Sequence, residues 1–155
     1  MSEATLYSAC LSKAMALCSG REYAPEDIRA KLISWGLSEN DAEKALSALK
    51  KENFLNEKRF AEAFVRDKFN YNKWGRVKIS FNLKTKKISP SLIREALECI
   101  DDETYKETAR GLLEHQKKKI KAKNQYDLKS KLMRFGLSRG FEMDLLYDMV
   151  NSICS

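Results

Sequence analysis

Between Lys68 and Ile79 the chain reads KFNYNKWGRVKI, which sets Phe69, Tyr71, Trp74 and Gly75 among Lys68, Lys73, Arg76 and Lys78 with no acid between them. Lysine and arginine offer hydrogen-bond donors and no acceptors, so such a cluster suits carboxylates or phosphates. Aromatic rings in that company could stack on bases, but the bulk of Phe69 and Trp74 favours burial in a core or helix junction. Tyr71 stays open. A nucleic-acid grip, a helix junction and a docking surface for another protein all fit these residue types.

The same charge recurs further along. From Arg66 to Lys87 stand Arg66, Lys68, Lys73, Arg76, Lys78, Lys84, Lys86 and Lys87 against Asp67 alone. From Lys117 to Arg134 stand Lys117, Lys118, Lys119, Lys121, Lys123, Lys129, Lys131 and Arg134 against Asp127 alone. The chain has 155 residues and a net charge of +7, which favours a polyanion or an acidic protein surface as partner.

Other chemistry finds little support. His115 is the single histidine, and Cys10, Cys18, Cys99 and Cys154 form no CxxC pair, so no metal site, no cofactor and reduced thiols are expected. No glycine-rich phosphate loop and no histidine paired with a nucleophile occur, and Asp101, Asp102 and Glu103 read as acids at a helix start. No catalytic residue is assigned; an enzyme is the weakest reading. No apolar run could span a bilayer and the N-terminus MSEATLYSACLSK carries an acid, so a cytoplasmic protein is expected.

The elements that must position the basic segments emerge from an internal comparison. Asp27–Leu49 aligns without a gap on Lys78–Ile100, matching Ile28 with Ile79, Leu32 with Leu83, Leu37 with Ile88, Ser38 with Ser89, Ala45 with Ala96 and Leu46 with Leu97. Each copy reads as helix, corner, helix. Pro25 opens a first helix that stops at Gly36; Ser38 caps the next, with Asp41 completing a capping box; in the second copy Ser89 caps and Pro90 takes the first helical position. The apolar face is Leu37, Ala42, Ala45, Leu46 and Leu49, then Ile88, Ile93, Ala96, Leu97 and Ile100.

A third copy in Asp127–Ile153 admits two registers. Matching RFGLS to SWGLS makes Ser138 a cap but puts Glu142 on the buried face. Sliding by one helical turn restores that face as Phe141, Leu146, Met149, Val150 and Ile153, makes Gly140 the corner and lengthens the preceding helix by about one turn. The second register is preferred. A further helix precedes each pair, near Thr5–Cys18, Arg59–Asn70 and Tyr105–Lys121. The expected fold is all-α: a tandem array of three three-helix repeats over residues 1–53, 54–104 and 105–155, elongated and curved. Both basic segments fall at junctions in repeats two and three. Cys18–Ile33 in repeat one instead balances Arg21, Arg29 and Lys31 with Glu22, Glu26 and Asp27.

The run FLNEKRFAEAFVRDKFNYNKWGRVKISFNLKTKKISPSLIREAL, with REYAPEDIRAKLISWG before it and KLMRFGLSRGFEMDLL after it, resembles the RecX family of bacterial regulators of the RecA recombinase. Leu55–Ile79 is its most specific part, together with Arg139, Gly140 and Phe141. Asn56 stands where the family usually has aspartate, and Lys87 where a corner glycine is expected. The resemblance implies a non-enzymatic protein that lies in the groove of the RecA filament on single-stranded DNA. It would limit filament extension and lower ATPase, strand-exchange and coprotease activity, with direct single-stranded DNA contact in some members.

The docking charge is then expected from Arg66, Lys68, Lys73, Arg76 and Lys78, with Trp74 beside them, and from Lys117, Lys118, Lys119, Lys121, Lys123, Arg134 and Arg139. Gly36, Gly75 and Gly140 are expected as structural corners, and the chain as a monomer. Two alternatives stay open: a nucleic-acid-binding helical repeat protein acting without RecA, and a helical interaction scaffold whose charge serves only solubility.

Overall fold

The computed structural model describes residues 2–155, and among these it contains helices and no strand. Among the described residues nine helices follow one another: α1 (Glu3–Gly20), α2 (Pro25–Ser34), α3 (Glu39–Lys51), α4 (Glu57–Asn70), α5 (Arg76–Thr85), α6 (Pro90–Leu97), α7 (Asp102–Lys119), α8 (Gln125–Ser138) and α9 (Met143–Ile153). The fold is an all-α helical repeat.

Local chemistry explains most of the helix starts. The first backbone N–H groups of a helix lack an internal partner, and a short polar side chain just before the helix supplies one. Ser38 accepts from the Asp41 N–H at 3.2 Å, and Ser89 from the Leu92 N–H at 3.4 Å. Asn56 accepts from the Arg59 N–H at 2.9 Å, Asp101 from Thr104 at 3.0 Å and Asn124 from Asp127 at 2.8 Å. Asparagine at position 56 keeps the cap because its amide oxygen accepts much as a carboxylate would.

Three corners share one backbone closure. Leu37 N–H donates to Leu32 C=O at 3.1 Å, Ile88 to Leu83 at 3.2 Å and Phe141 to Gly136 at 3.2 Å. The residue before each donor is left-handed: Gly36 at φ +109°, Lys87 at +60° and Gly140 at +91°. This equivalence selects the slid register for the third copy. Helix α8 has 14 residues where α2 and α5 have 10, one extra turn, and it runs through Gly136 to end at Ser138. Ser138 therefore closes a helix instead of opening one.

The apolar faces go inside as their spacing requires. Leu37, Ala42, Ala45, Leu46 and Leu49 are buried, as are Ile88, Ile93, Ala96 and Ile100, and Phe141, Leu146, Met149 and Val150; Leu97 and Ile153 are half-buried. The chain forms two compact units, Met1–Ala63 with Leu83–Ala96, and Phe64–Asn82 with Leu97–Ser155. In the first, Cys10 and Ala14 of α1 meet Ile28 and Leu32 of α2 and the buried face of α3, with Leu55 closing the cluster. In the second, three rings stand in sequence: Phe69 to Tyr105 at 5.8 Å between centroids, then Tyr105 to Phe141 at 5.3 Å.

Candidate functional site

Helix α5 begins without a capping side chain of its own, since Gly75 precedes it. Its N–H groups are satisfied from afar, all within the second unit. Gly75 donates to Arg139 C=O at 2.7 Å, Arg76 to the Tyr105 hydroxyl at 2.9 Å and Val77 to Gly140 C=O at 2.9 Å. The start of α5 is thus held against the α8–α9 corner and the first turn of α7. The approach leaves no room for side chains. A Cβ on Gly75 would lie 2.3 Å from the Gly140 oxygen, and one on Gly140 would lie 2.2 Å from Lys78 Cβ. Gly75 is therefore required by proximity, and the positive φ in its turn belongs to Lys73 at +57°.

The Arg76 guanidinium secures the same joint. It contacts Glu142 at 3.2 Å and Asp102 at 3.2 Å, and lies 3.9 Å over the Tyr105 ring. Tyr105, fully buried, donates its hydroxyl proton to Glu142. Burial, then the bond to Glu142, push the Tyr105 hydroxyl well above the ordinary tyrosine range. For Arg76, burial works against the charge, but the bonds to Asp102 and Glu142 outweigh it and hold the guanidinium above its usual value. Asp102 is held below the carboxylate range by Lys106 and Arg76. Arg76, one of the expected docking residues, thus pairs with two carboxylates of its own chain.

Of the remaining cations around the turn, Lys68 and Lys78 are half-buried. Lys68 and Lys78 place their ammonium groups 5.0 and 4.5 Å from the Trp74 ring centre, a cation–π arrangement that orients charge without neutralising it. Trp74 is half-buried, edge-on to Phe64 at 6.4 Å, whereas Phe69 is buried. Arg66 and Lys73 are exposed, and Lys73 donates to Asn70 C=O at 2.8 Å. Tyr71 is 83 % exposed, Val77 54 % and Phe81 65 %. Apolar surface therefore lies among the lysines.

The second basic group is more dispersed in its duties. Lys118, Lys119, Lys121, Lys123 and Arg134 are exposed, while Lys117 donates to Ile153 C=O at 2.9 Å. Arg139 lies half-buried 5.6 Å from the Phe135 ring, with its Nε buried and unpaired. Lys131 is held by Asp127 at 3.1 Å and by Lys121 C=O at 2.8 Å.

Sequence reasoning passed over Val77 and Phe81, and over the roles of Tyr105, Asp102 and Glu142. One signal was present for Glu142: it could not occupy a buried face, which is what fixed the register of α8 and α9. Nothing periodic links Tyr105 to Arg76.

Residues 56–97 match the family model for the RecX second three-helix domain, and residues 103–149 the model for the third. A "Regulatory protein RecX" from Clostridium perfringens (strain 13 / Type A) is 32% identical over 146 residues, 93% of this chain and 66% of that protein. Another, from Clostridium botulinum (strain Eklund 17B / Type B), is 35% identical over 127 residues, 81% and 59% respectively. The chain thus spans about three fifths to two thirds of these relatives' length. The crystal structure of RecX from Lactobacillus salivarius has the same fold, with a TM-score of 0.84 at 22% identity over 97% of each chain. A further structure of regulatory protein RecX gives 0.86 at 22% identity, covering 96% of this chain and 74% of that one.

Proposed function

This chain belongs to the RecX family of regulatory proteins, and from that premise we propose that it is a negative modulator of RecA, binding the groove of the RecA–single-stranded DNA filament. In this reading it limits filament extension and so lowers ATPase, strand-exchange and coprotease activity. It acts as a monomer whose repeats are divided at residues 53/54 and 104/105. The observation that carries the reading is the surface around Trp74. Lys68 and Lys78 flank the ring, Arg66 on α4 and Lys73 in the turn are exposed, and Val77 and Phe81 on α5 add exposed apolar area. Charge steers the encounter with an acidic lining, and apolar contact holds it. Lys118, Lys119, Lys121, Lys123 and Arg134 extend the charge, with Lys117 and Arg139 contributing through partly buried stems.

A single-stranded nucleic acid bound directly is the second reading, favoured by the exposed Tyr71 ring beside those lysines. The two separate in a titration of RecA's DNA-dependent ATPase with substoichiometric protein. The filament reading expects inhibition that persists when RecA is in large excess over DNA sites; inhibition that vanishes there means competition for DNA alone. Affinity for bare DNA that falls steeply with salt would support the second reading.

A further inference from the structure

Helices α8 and α9 carry, besides their buried faces, a second stripe of largely apolar residues that is exposed in part. On α8 it is Tyr126, Ser130, Met133 and Leu137, spaced i, i+4, i+7, i+11; on α9 it is Met143 and Tyr147, spaced i, i+4, one turn before the buried Val150. Tyr126 is 81 % exposed, Tyr147 63 % and Met143 61 %. Between the stripes lies an open groove of about 520 Å³, floored by Met133, Leu137 and Val150. The charged residues lining it are Lys129 and Arg134, with no carboxylate among its lining residues.

We infer that this groove receives an amphipathic, acidic helix of the partner protein. Two stripes at coiled-coil spacing are what a third helix needs in order to seat apolar side chains of its own at i, i+4 and i+7. Methionine at the floor adapts its shape to such anchors. Lys129 and Arg134 place donors where carboxylates on the incoming helix would flank them. A polynucleotide fits less well, because Met133, Leu137 and Val150 offer nothing to base edges. The inference rests on the filament reading, in which the partner is RecA, and it adds a contact separate from the surface around Trp74.

The test uses the full chain with p-benzoylphenylalanine in place of Tyr147, mixed with RecA assembled on oligothymidylate, irradiated and mapped by mass spectrometry. Co-sedimentation of the unmodified chain with the same filaments is measured in parallel. The expected result is a crosslink to an acidic helical segment of RecA, with a roughly tenfold loss of co-sedimentation affinity in Leu137→Glu, a surface change that leaves the core intact. Four crosslinking outcomes overturn the inference while co-sedimentation persists: a crosslink to the oligonucleotide, to a second copy of the chain, to a non-helical or non-acidic RecA segment, or none. An unchanged Leu137→Glu affinity overturns it too. Absence of co-sedimentation by the unmodified chain removes both this inference and the filament reading.

Discussion

The turns that lead into α2 and α5 occupy the same place in their repeats, with Tyr23 and Ala24 in one standing where Trp74 and Gly75 stand in the other, yet they use their charges in opposite ways. In the first, cations are matched at home: Arg29 meets Glu26 and Glu43, Arg59 meets Glu22 at 3.0 Å and Lys86 meets Asp27 at 2.7 Å. In the second, Arg76 is matched by Glu142 and Asp102, and Lys68 and Lys78 have the Trp74 ring for company. The backbone differs accordingly. Ala24 is fully buried and tolerates its methyl group, whereas Gly75 faces the Gly140 carbonyl too closely for one. One turn pairs its cations with carboxylates; the other pairs Arg76 with Glu142 and Asp102 and leaves Lys68 and Lys78 over an aromatic ring.

The sharpest way to break that comparison is to exchange the two residues. Gly75→Ala drives a methyl into backbone that cannot retreat, and a loss of at least about 3 kcal/mol is expected in urea unfolding. The reciprocal Ala24→Gly removes one buried methyl and costs no more than about 1 kcal/mol. Equal effects would mean the joints are alike.

Tyr105→Phe should follow, at roughly 1–3 kcal/mol, because it strips the Arg76 N–H and Glu142 of a buried partner together. The same residue sets an alkaline limit. Its proton is held more tightly in the folded chain than in the unfolded one, so its contribution is complete below the ordinary tyrosine value near 10 and is lost as pH rises beyond it. Thermal melts between pH 8 and 11 should show that decline in the wild-type chain, and a flatter profile in the phenylalanine variant.

A smaller effect, of opposite sign, is expected at the α5–α6 corner. Lys87 holds φ +60° where the other two corners have glycine, so Lys87→Gly should raise stability by about 1 kcal/mol. Its exposed ion pair with Glu26, at 3.6 Å, contributes little to offset that gain.

Elements governed by short-range rules were legible in the sequence. Ser38 and Ser89 cap as their spacing demands, the buried faces follow the helical period, and Glu142 alone sufficed to choose the register that Gly140 then closes. Lys87 was marked by the resemblance, which expects a corner glycine there, and its φ of +60° makes that departure a strained one. What escaped was long-range or off-phase. Arg76 meets Glu142 across 66 residues and Tyr105 across 29, and no periodicity encodes such pairings. The stripe on α8 and α9 was hidden because a search for one buried face discards the apolar residues that fall outside it.

The most direct test of the central claim is co-sedimentation with RecA filaments on single-stranded DNA, comparing charge reversal at the two turns. Reversing Lys68, Lys73 and Lys78 to glutamate should weaken binding by about tenfold or more and flatten its salt dependence, while reversing Arg21 and Lys31 should leave both unchanged. Equal losses at the two turns, or no loss at either, would contradict the account.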